Sequence, residues 1–259
     1  ASPGLLIGPR GIRVARFFRR PDAMSRPPND PVAPHPVLDR YYAAPEQRRS
    51  KVQKMFDASA GHYDWIIKVM SFGSGDWYRR QALQRAGISA GTKLLDVGCG
   101  TGSVALLAQQ LVGQTGEVFG LDPSIGMLST ARENGVKLPV RGMGEALPFP
   151  EQRFDRLTMG YALRHVADLQ STFEEYLRVL KPGGRVLLLE ITRPPPGILY
   201  HFTKFYLKRV IPLLTRLFRG SADAQELMEY YWDTIEQCVP PDTILAALKA
   251  AGFTQVRRH

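Results

Sequence analysis

The segment Asp96-Val97-Gly98-Cys99-Gly100-Thr101-Gly102 places three glycines behind a carboxylate, between an apolar run and a helix-like run that begins at Ser103. Glycines at this spacing let the chain turn sharply and bring its backbone against a ligand, while the start of the helix offers unpaired N–H groups. Asp122 stands twenty residues beyond Gly102, at the end of the next apolar run. A carboxylate in that place accepts hydrogen bonds from the two hydroxyls of a ribose. The G-x-G-x-G spacing with Asp96 in front suits a nucleoside that carries an amino acid better than it suits a pyrophosphate. Two cysteines, Cys99 and Cys238, form no C-x-x-C pair. This argues against a zinc site or a disulfide scaffold, fits a reducing compartment, and leaves no metal expected.

Such a loop needs strands and helices to hold it, and the patterning supplies them. Lys93–Val97, Val118–Asp122, Val136–Arg141, Phe154–Gly160 and Arg185–Glu190 read as short apolar strands. Helical runs fall between them: Ser103–Leu111, Pro123–Asn134 and Leu169–Leu180. Strands alternating with helices of this length imply right-handed crossovers and a parallel sheet, an α/β fold. Ahead of it, Val52, Met55, Phe56 and Ser59-Ala60 recur at helical spacing and predict a helix ending near Gly61. A second helix is predicted over Asp76–Ala86. After Pro194-Pro195-Pro196 the chain turns amphipathic through Phe218, with Pro212 placed to kink or split that helix. Two more helices and the start of a strand at Thr254 follow.

The 259-residue chain carries a net charge of +10, unevenly placed. Residues 1–54 hold eleven basic residues against four acids, and 197–219 hold five against none. The rest is close to neutral, unlike a nucleic-acid enzyme with basic charge spread over its body, so no nucleic-acid partner is expected. Basic charge beside the aromatic and aliphatic run Leu199–Phe218 suits contact with an anionic membrane surface, or a cap over a greasy substrate. No run is long and apolar enough to span a bilayer. Nine of the twenty prolines lie in residues 1–45, and residues 1–47 are expected to be a disordered tail, followed by a domain over 48–259. Arg10–Arg20 is Arg-rich and acid-free, like an organelle presequence, or else precedes an internal start at Met24. The expected location is therefore cytoplasmic, membrane-associated at most, or the mitochondrial matrix if 1–23 is a presequence.

The run Leu94-Leu95-Asp96-Val97-Gly98-Cys99-Gly100-Thr101-Gly102 resembles the first motif of class I S-adenosylmethionine methyltransferases. More narrowly, the chain is similar to the ubiquinone/menaquinone C-methyltransferase family from about Val52 to Val256. The resemblance is carried by Met55-Phe56-Asp57 with Tyr63-Asp64, Glu145-Ala146-Leu147-Pro148, Leu163-Arg164, Arg178–Gly184, Ile211-Pro212 and Glu229-Tyr230. It implies a Rossmann-like sheet with N-terminal helices, a helical cap inserted at about 194–240, and S-adenosylmethionine as cofactor. By the same resemblance, Asp96, Gly98, Gly100 and Gly102 belong to the methionine end of the site and Asp122 to the ribose. Met143, Gly144 and Glu145 lie along the adenine. The family places an acid where Met143 stands, so a backbone group or Glu145 must substitute, or nucleotide affinity is lower; it places Asn where His165 stands. A class I sheet also continues past Val256 with an antiparallel strand, so the sheet is short here or the sequence stops before it.

The reaction implied is C-methylation of a phenol or quinol with an apolar tail. The ring must first lose its hydroxyl proton, and His165 is the candidate general base. Arg164 is the candidate for stabilising the phenolate oxygen, with Tyr63 and His62 on an N-terminal lid as further candidates. N- or O-methylation of a phospholipid amine or secondary metabolite is the alternative, as is a non-catalytic S-adenosylmethionine-binding subunit. A homodimer is compatible with all of these.

Overall fold

The computed structural model describes residues 12–19, 32–42, 44–219 and 223–258. Among them one sheet contains β1 (Ile12–Arg19), β2 (Lys93–Val97), β3 (Glu117–Asp122), β4 (Leu138–Arg141), β5 (Phe154–Gly160), β6 (Leu180–Ile191) and β7 (Phe253–Arg258). Their order is β4-β3-β2-β5-β6-β1-β7. The five strands β4 to β6 in that order are parallel. β1 lies antiparallel between β6 and β7. Strand order reverses between β2 and β5, which opens a crevice at the carboxyl ends of the central strands, where open α/β sheets bind ligands.

Helices cover both faces, because neighbouring residues in a strand point to opposite sides. Leu94, Val118, Leu187 and Leu189 pack with α2 (Gly75–Arg85), α3 (Ser103–Val112) and Ala131 of α4 (Ile125–Glu133). Leu95, Leu157, Met159, Val186 and Leu188 pack instead with Leu169, Phe173 and Tyr176 of α5 (Leu169–Val179) and Leu248 of α9 (Pro241–Ala250). Each buried Leu, Val, Met or Phe among them stabilises the fold by about 1.5–3 kcal/mol. A third apolar cluster lies over the crevice. It joins α1 (Pro45–Met70) to Leu207 and Ile211 and to Leu227, Tyr230, Tyr231 and Trp232 of α8 (Asp223–Gln237).

Three expectations are corrected. The first helix does not end at Gly61 but runs on to Met70 as α1, because Ile66 and Ile67 continue its buried stripe. Residues 1–47 are not uniformly a disordered tail. Ile12–Arg19 is a strand, in a proline-free stretch rich in β-branched and aromatic residues. Residues 32–42 are pinned to the body: Val32 donates to Asp168 Oδ1 at 2.6 Å, Val239 N donates to Pro34 O at 2.8 Å, and Leu38 and Tyr42 are buried. The presequence-like segment otherwise lies outside the described residues. Finally, Pro212 does not split the amphipathic helix. α6 (Ile198–Phe205) passes through a π-helical turn, Tyr206–Val210, into α7 (Ile211–Arg219). Wider hydrogen bonding just before a proline absorbs the donor that proline lacks.

Candidate active site

The glycine loop owes its shape to backbone that other residues adopt at a cost. Gly98, Gly100 and Gly102 have φ of +67°, +54° and +96°, where a Cβ is strained. A Cβ on Gly98 would lie 2.5 Å from the Cβ of Ala162, and one on Gly102 would lie 2.5 Å from Val136. The loop is tied to the end of β3. Gly98 and Cys99 donate to Leu121 O at 2.7 and 3.0 Å, and Gly100 N donates to Asp122 Oδ2 at 2.9 Å. Ser124 N donates to the other carboxylate oxygen, also at 2.9 Å. Burial raises the Asp122 carboxyl to about 6, against the pull of these two N–H bonds.

A cavity opens from this loop. Its floor is Gly98, Gly100, Leu121 and Asp122; Met143, Gly144 and Glu145 form one side, and Met159 to Ala162 the back. α1 closes the remaining side with Arg49, Val52, Gln53, Phe56 and Tyr63, and His165 and Val166 complete the wall. α1 is fastened by two carboxylates seven residues apart on one face. Asp57 accepts from Ser124 Oγ and from Gly126 N (3.0 Å) at the start of α4. Asp64 accepts from Thr101 Oγ1 in the glycine loop and from Asn134 Nδ2 at 2.9 Å. The helix that carries Phe56 and Tyr63 into the cavity is thus latched to both loops below it.

The structure brings Tyr63, Gly98, Gly100, Asp122, Met143, Gly144, Glu145 and His165 together around the cavity. Asp96, Gly102, Arg164 and His62 are not among its lining residues. Asp96 sits beneath the loop, accepting from Thr158 Oγ1 at 2.7 Å, and burial raises it to about 7. Gly102 is the residue before α3 and shapes the turn. Glu145, expected to stand in for the missing acid at Met143, has one carboxylate oxygen taken by Ala167 N–H at 2.6 Å.

Arg164 is the clearest correction. It is wholly buried on the far side of the turn Leu163–His165, away from the cavity. Its Nε donates to Glu190 at 2.8 Å, and its Nη1 to Thr234 Oγ1 at 2.7 Å and to Tyr231 O at 3.3 Å. Its Nη2 donates to Tyr161 O at 3.3 Å, and the guanidinium carbon lies 4.3 Å from the centre of the Tyr231 ring. With these donors spent on the protein, Arg164 joins β6, α8 and the end of β5 rather than meeting a substrate.

His165 faces the opposite way. Its ring stacks on Tyr230 at 5.5 Å and meets the edge of Phe56 at 5.1 Å. Nδ1 lies 3.3 Å from the Tyr230 hydroxyl, while Nε2 is buried with no hydrogen-bond partner among the described residues. Burial, then the Arg164 and Arg48 charges, holds the ring's pKa well below 6.5, so it is neutral at pH 7. Sequence reasoning missed Tyr161. This cavity-lining tyrosine has a φ of +63°, and its N–H donates to Leu189 O at 2.7 Å. A non-glycine residue held in that region marks a site over-determined by its surroundings, and no sequence pattern announces it.

Ubiquinone/menaquinone biosynthesis C-methyltransferase UbiE of Shewanella halifaxensis is 34% identical over 218 residues, covering 82% of this chain and 86% of that protein. Among solved structures, a SAM-dependent methyltransferase from Thermotoga maritima, a possible histamine N-methyltransferase, superposes with a TM-score of 0.55. It shares 20% identity, over 78% of this chain and 81% of that one. The [4+2]-cyclase SpnF superposes with a TM-score of 0.56 at 21% identity, over 86% of this chain and 73% of its own. These two share the fold alone, and one of them being a cyclase shows that the fold does not fix the reaction. A family model described as the ubiE/COQ5 methyltransferase family matches residues 44–259, from the start of α1 through β7, and the chain belongs to that family.

Proposed function

We propose that the protein transfers a methyl group from S-adenosylmethionine to a ring carbon of a phenol or quinol with an apolar tail, as in quinone biosynthesis. The observation that carries the reading is the continuity of one cavity. It runs from Asp122 and the loop glycines to an aromatic wall of Phe56, Tyr63, Tyr161 and His165.

The residues fit S-adenosylmethionine, whose sulfonium supplies an activated methyl group. Gly100 leaves its floor open below Tyr63, since a Cβ there would come no nearer than 4.0 Å to that ring. Asp122 would hold the ribose, the loop backbone the methionine end, and Met143 to Glu145 the adenine. For its part the protein excludes water, orients the acceptor ring and faces its oxygen with a neutral His165. The acceptor's hydroxyl proton leaves to solvent before transfer. The ring carbon that gains the methyl then loses its hydrogen as a proton to water as the product leaves the cavity, which restores the aromatic ring.

The cap supports an acceptor with a greasy tail. Ile198, Phe202, Phe205, Leu213 and Leu217 of α6 and α7 are exposed, Ile198 to 91%, an apolar edge of the kind that meets lipid. Among the described residues no helix is long and apolar enough to cross a membrane. Two of the cap's cations are neutralised, Lys204 by Glu236 at 3.0 Å and Lys208 by Asp233 at 2.8 Å. Its attraction to a membrane would therefore be more apolar than the charge count implies.

The test is turnover with isotopically methyl-labelled S-adenosylmethionine and a prenylated hydroquinone lacking one ring methyl, read by mass spectrometry with fragmentation. Label on a ring carbon is expected. Label on oxygen or nitrogen, or none while the cofactor still binds in calorimetry, would sink the reading.

A further inference from the structure

We propose that His165 serves the acceptor as a fixed hydrogen-bond donor rather than as a general base, its Nε2–H presented to the acceptor oxygen because Nδ1 accepts from the Tyr230 hydroxyl. The inference rests on the reading of the cavity as the methyl-transfer site.

The tautomer follows from which groups can donate and which can accept. A guanidinium has no acceptor. Arg48 of α1 donates through Nη2 to His35 Nε2 at 2.8 Å and to the carbonyl of Arg164 at 2.6 Å. Its positive charge also acts on the Tyr230 hydroxyl, drawing the oxygen's lone pairs toward the guanidinium. Tyr230 is wholly buried, and the acceptor its hydroxyl meets among the described residues is His165 Nδ1, at 3.3 Å, so the phenolic proton is directed there. A neutral imidazole that accepts at Nδ1 carries its proton on Nε2. That nitrogen has no partner among the described residues, and His165 lines the cavity. His35 answers the same constraint: with Nε2 accepting from Arg48, its Nδ1 donates to Pro36 O at 2.7 Å.

The ring is held in place as well as in tautomer. Tyr230 is wholly buried beneath the edge of Tyr41, at 5.2 Å, and stacks on His165, while Phe56 closes the other side. The charged groups that reach His165 are Arg164 beside it in the turn and Arg48 of α1, with His35 of the N-terminal segment behind them. All of these oppose a second proton on the ring. A neutral donor aimed at an oxygen stabilises the negative charge that oxygen carries while the ring carbon attacks. Tyr230 acts through His165 and is a positioning residue.

The experiment labels the histidines of the full chain with ¹⁵N and reads tautomers from ring nitrogen shifts, the His165 signals being those lost in His165→Asn. From about pH 5.5 to about pH 8.5 His165 should keep the pattern of a neutral ring protonated at Nε2. In Tyr230→Phe it should change to a mixture of tautomers. Protonation at Nδ1, or a cationic ring near pH 6, would overturn the proposal. Turnover supplies the second arm. His165→Leu should lower kcat by about 10²–10³ with KM for S-adenosylmethionine little changed. His165→Asn, which keeps an N–H donor and cannot act as a base near neutral pH, should recover all but about tenfold of that loss. An asparagine as inactive as leucine would restore the general-base role. If the chain methylates no phenol or quinol, the reaction reading fails while the tautomer measurement still stands or falls by itself.

Discussion

The two halves of the cavity are built by different means. The cofactor half is made of backbone: glycines at positive φ, strand-end N–H groups and one carboxylate, with partners close to one another in the chain or on adjacent strands. The acceptor half is made of side chains brought from α1 and from the turn after β5, with Tyr230 of α8 backing His165. Backbone recognises what every cofactor molecule shares, and side chains can be exchanged to suit a different acceptor. One family, or one fold, can therefore keep its methyl donor while changing what it acts on.

The sharpest way to break that division is at Arg164, which adjoins the acceptor half but belongs to neither. Arg164→Met should destabilise the protein by about 3–5 kcal/mol, because it leaves the buried Glu190 without its partner. Chemical denaturation measures this, and an unperturbed midpoint would return Arg164 to the list of residues free to act on substrate. Gly98→Ala attacks the cofactor half alone. The left-handed backbone costs a side chain roughly 1–2 kcal/mol, and the approach to Ala162 adds strain. Calorimetry should find cofactor affinity reduced by at least about tenfold, with the cap unaffected.

A third prediction uses pH. Asp122 has its carboxyl raised to about 6 and Asp96 to about 7. Both prefer the proton in the folded, ligand-free protein. Their contribution to stability is thus fully present below the unfolded-state values near 4 and is lost as pH rises through about 6 and 7. A ribose held by ionised Asp122 requires the reverse trend. S-adenosylmethionine should bind about tenfold more weakly at pH 5 than at pH 7, and a flat profile would remove Asp122 from the cofactor's contacts. The smallest effect on the folded protein is expected at the cap edge. Phe202→Ser with Phe205→Ser should leave stability within about 0.5 kcal/mol for each change, since both are exposed. It should nevertheless weaken sedimentation with phosphatidylcholine–phosphatidylglycerol vesicles. Because Lys204 and Lys208 are already paired, that binding should persist in added salt.

This contrast also explains what could be read from the sequence. The glycine loop, Asp122 and the alternation of strands and helices are local patterns, and they stand where the spacing put them. Arg164 was misassigned because its partners Glu190, Tyr231 and Thr234 lie 26, 67 and 70 residues away. Only a tertiary arrangement reveals that its charge is spent. β1 was hidden by the prolines around it, since tail composition outweighed a short run of good strand formers. The latch residues Asp57 and Asp64 lay within quoted family blocks, yet nothing local says that a carboxylate on a helix will cap another helix or hold a loop.

That latch couples the order of α1 to the order of the loops beneath it. Ser124, Gly126 and Thr101 are both the partners of Asp57 and Asp64 and the neighbours of Asp122 and Gly100, the contacts proposed for the cofactor. Whatever settles those loops should also slow amide exchange along α1, including turns that touch no ligand. By reciprocity, a helix clamped shut in advance would lengthen the cofactor's residence time. The wall of the cavity would then behave as a door whose hinge pins are set by the first molecule to enter, which favours binding of the methyl donor before the acceptor.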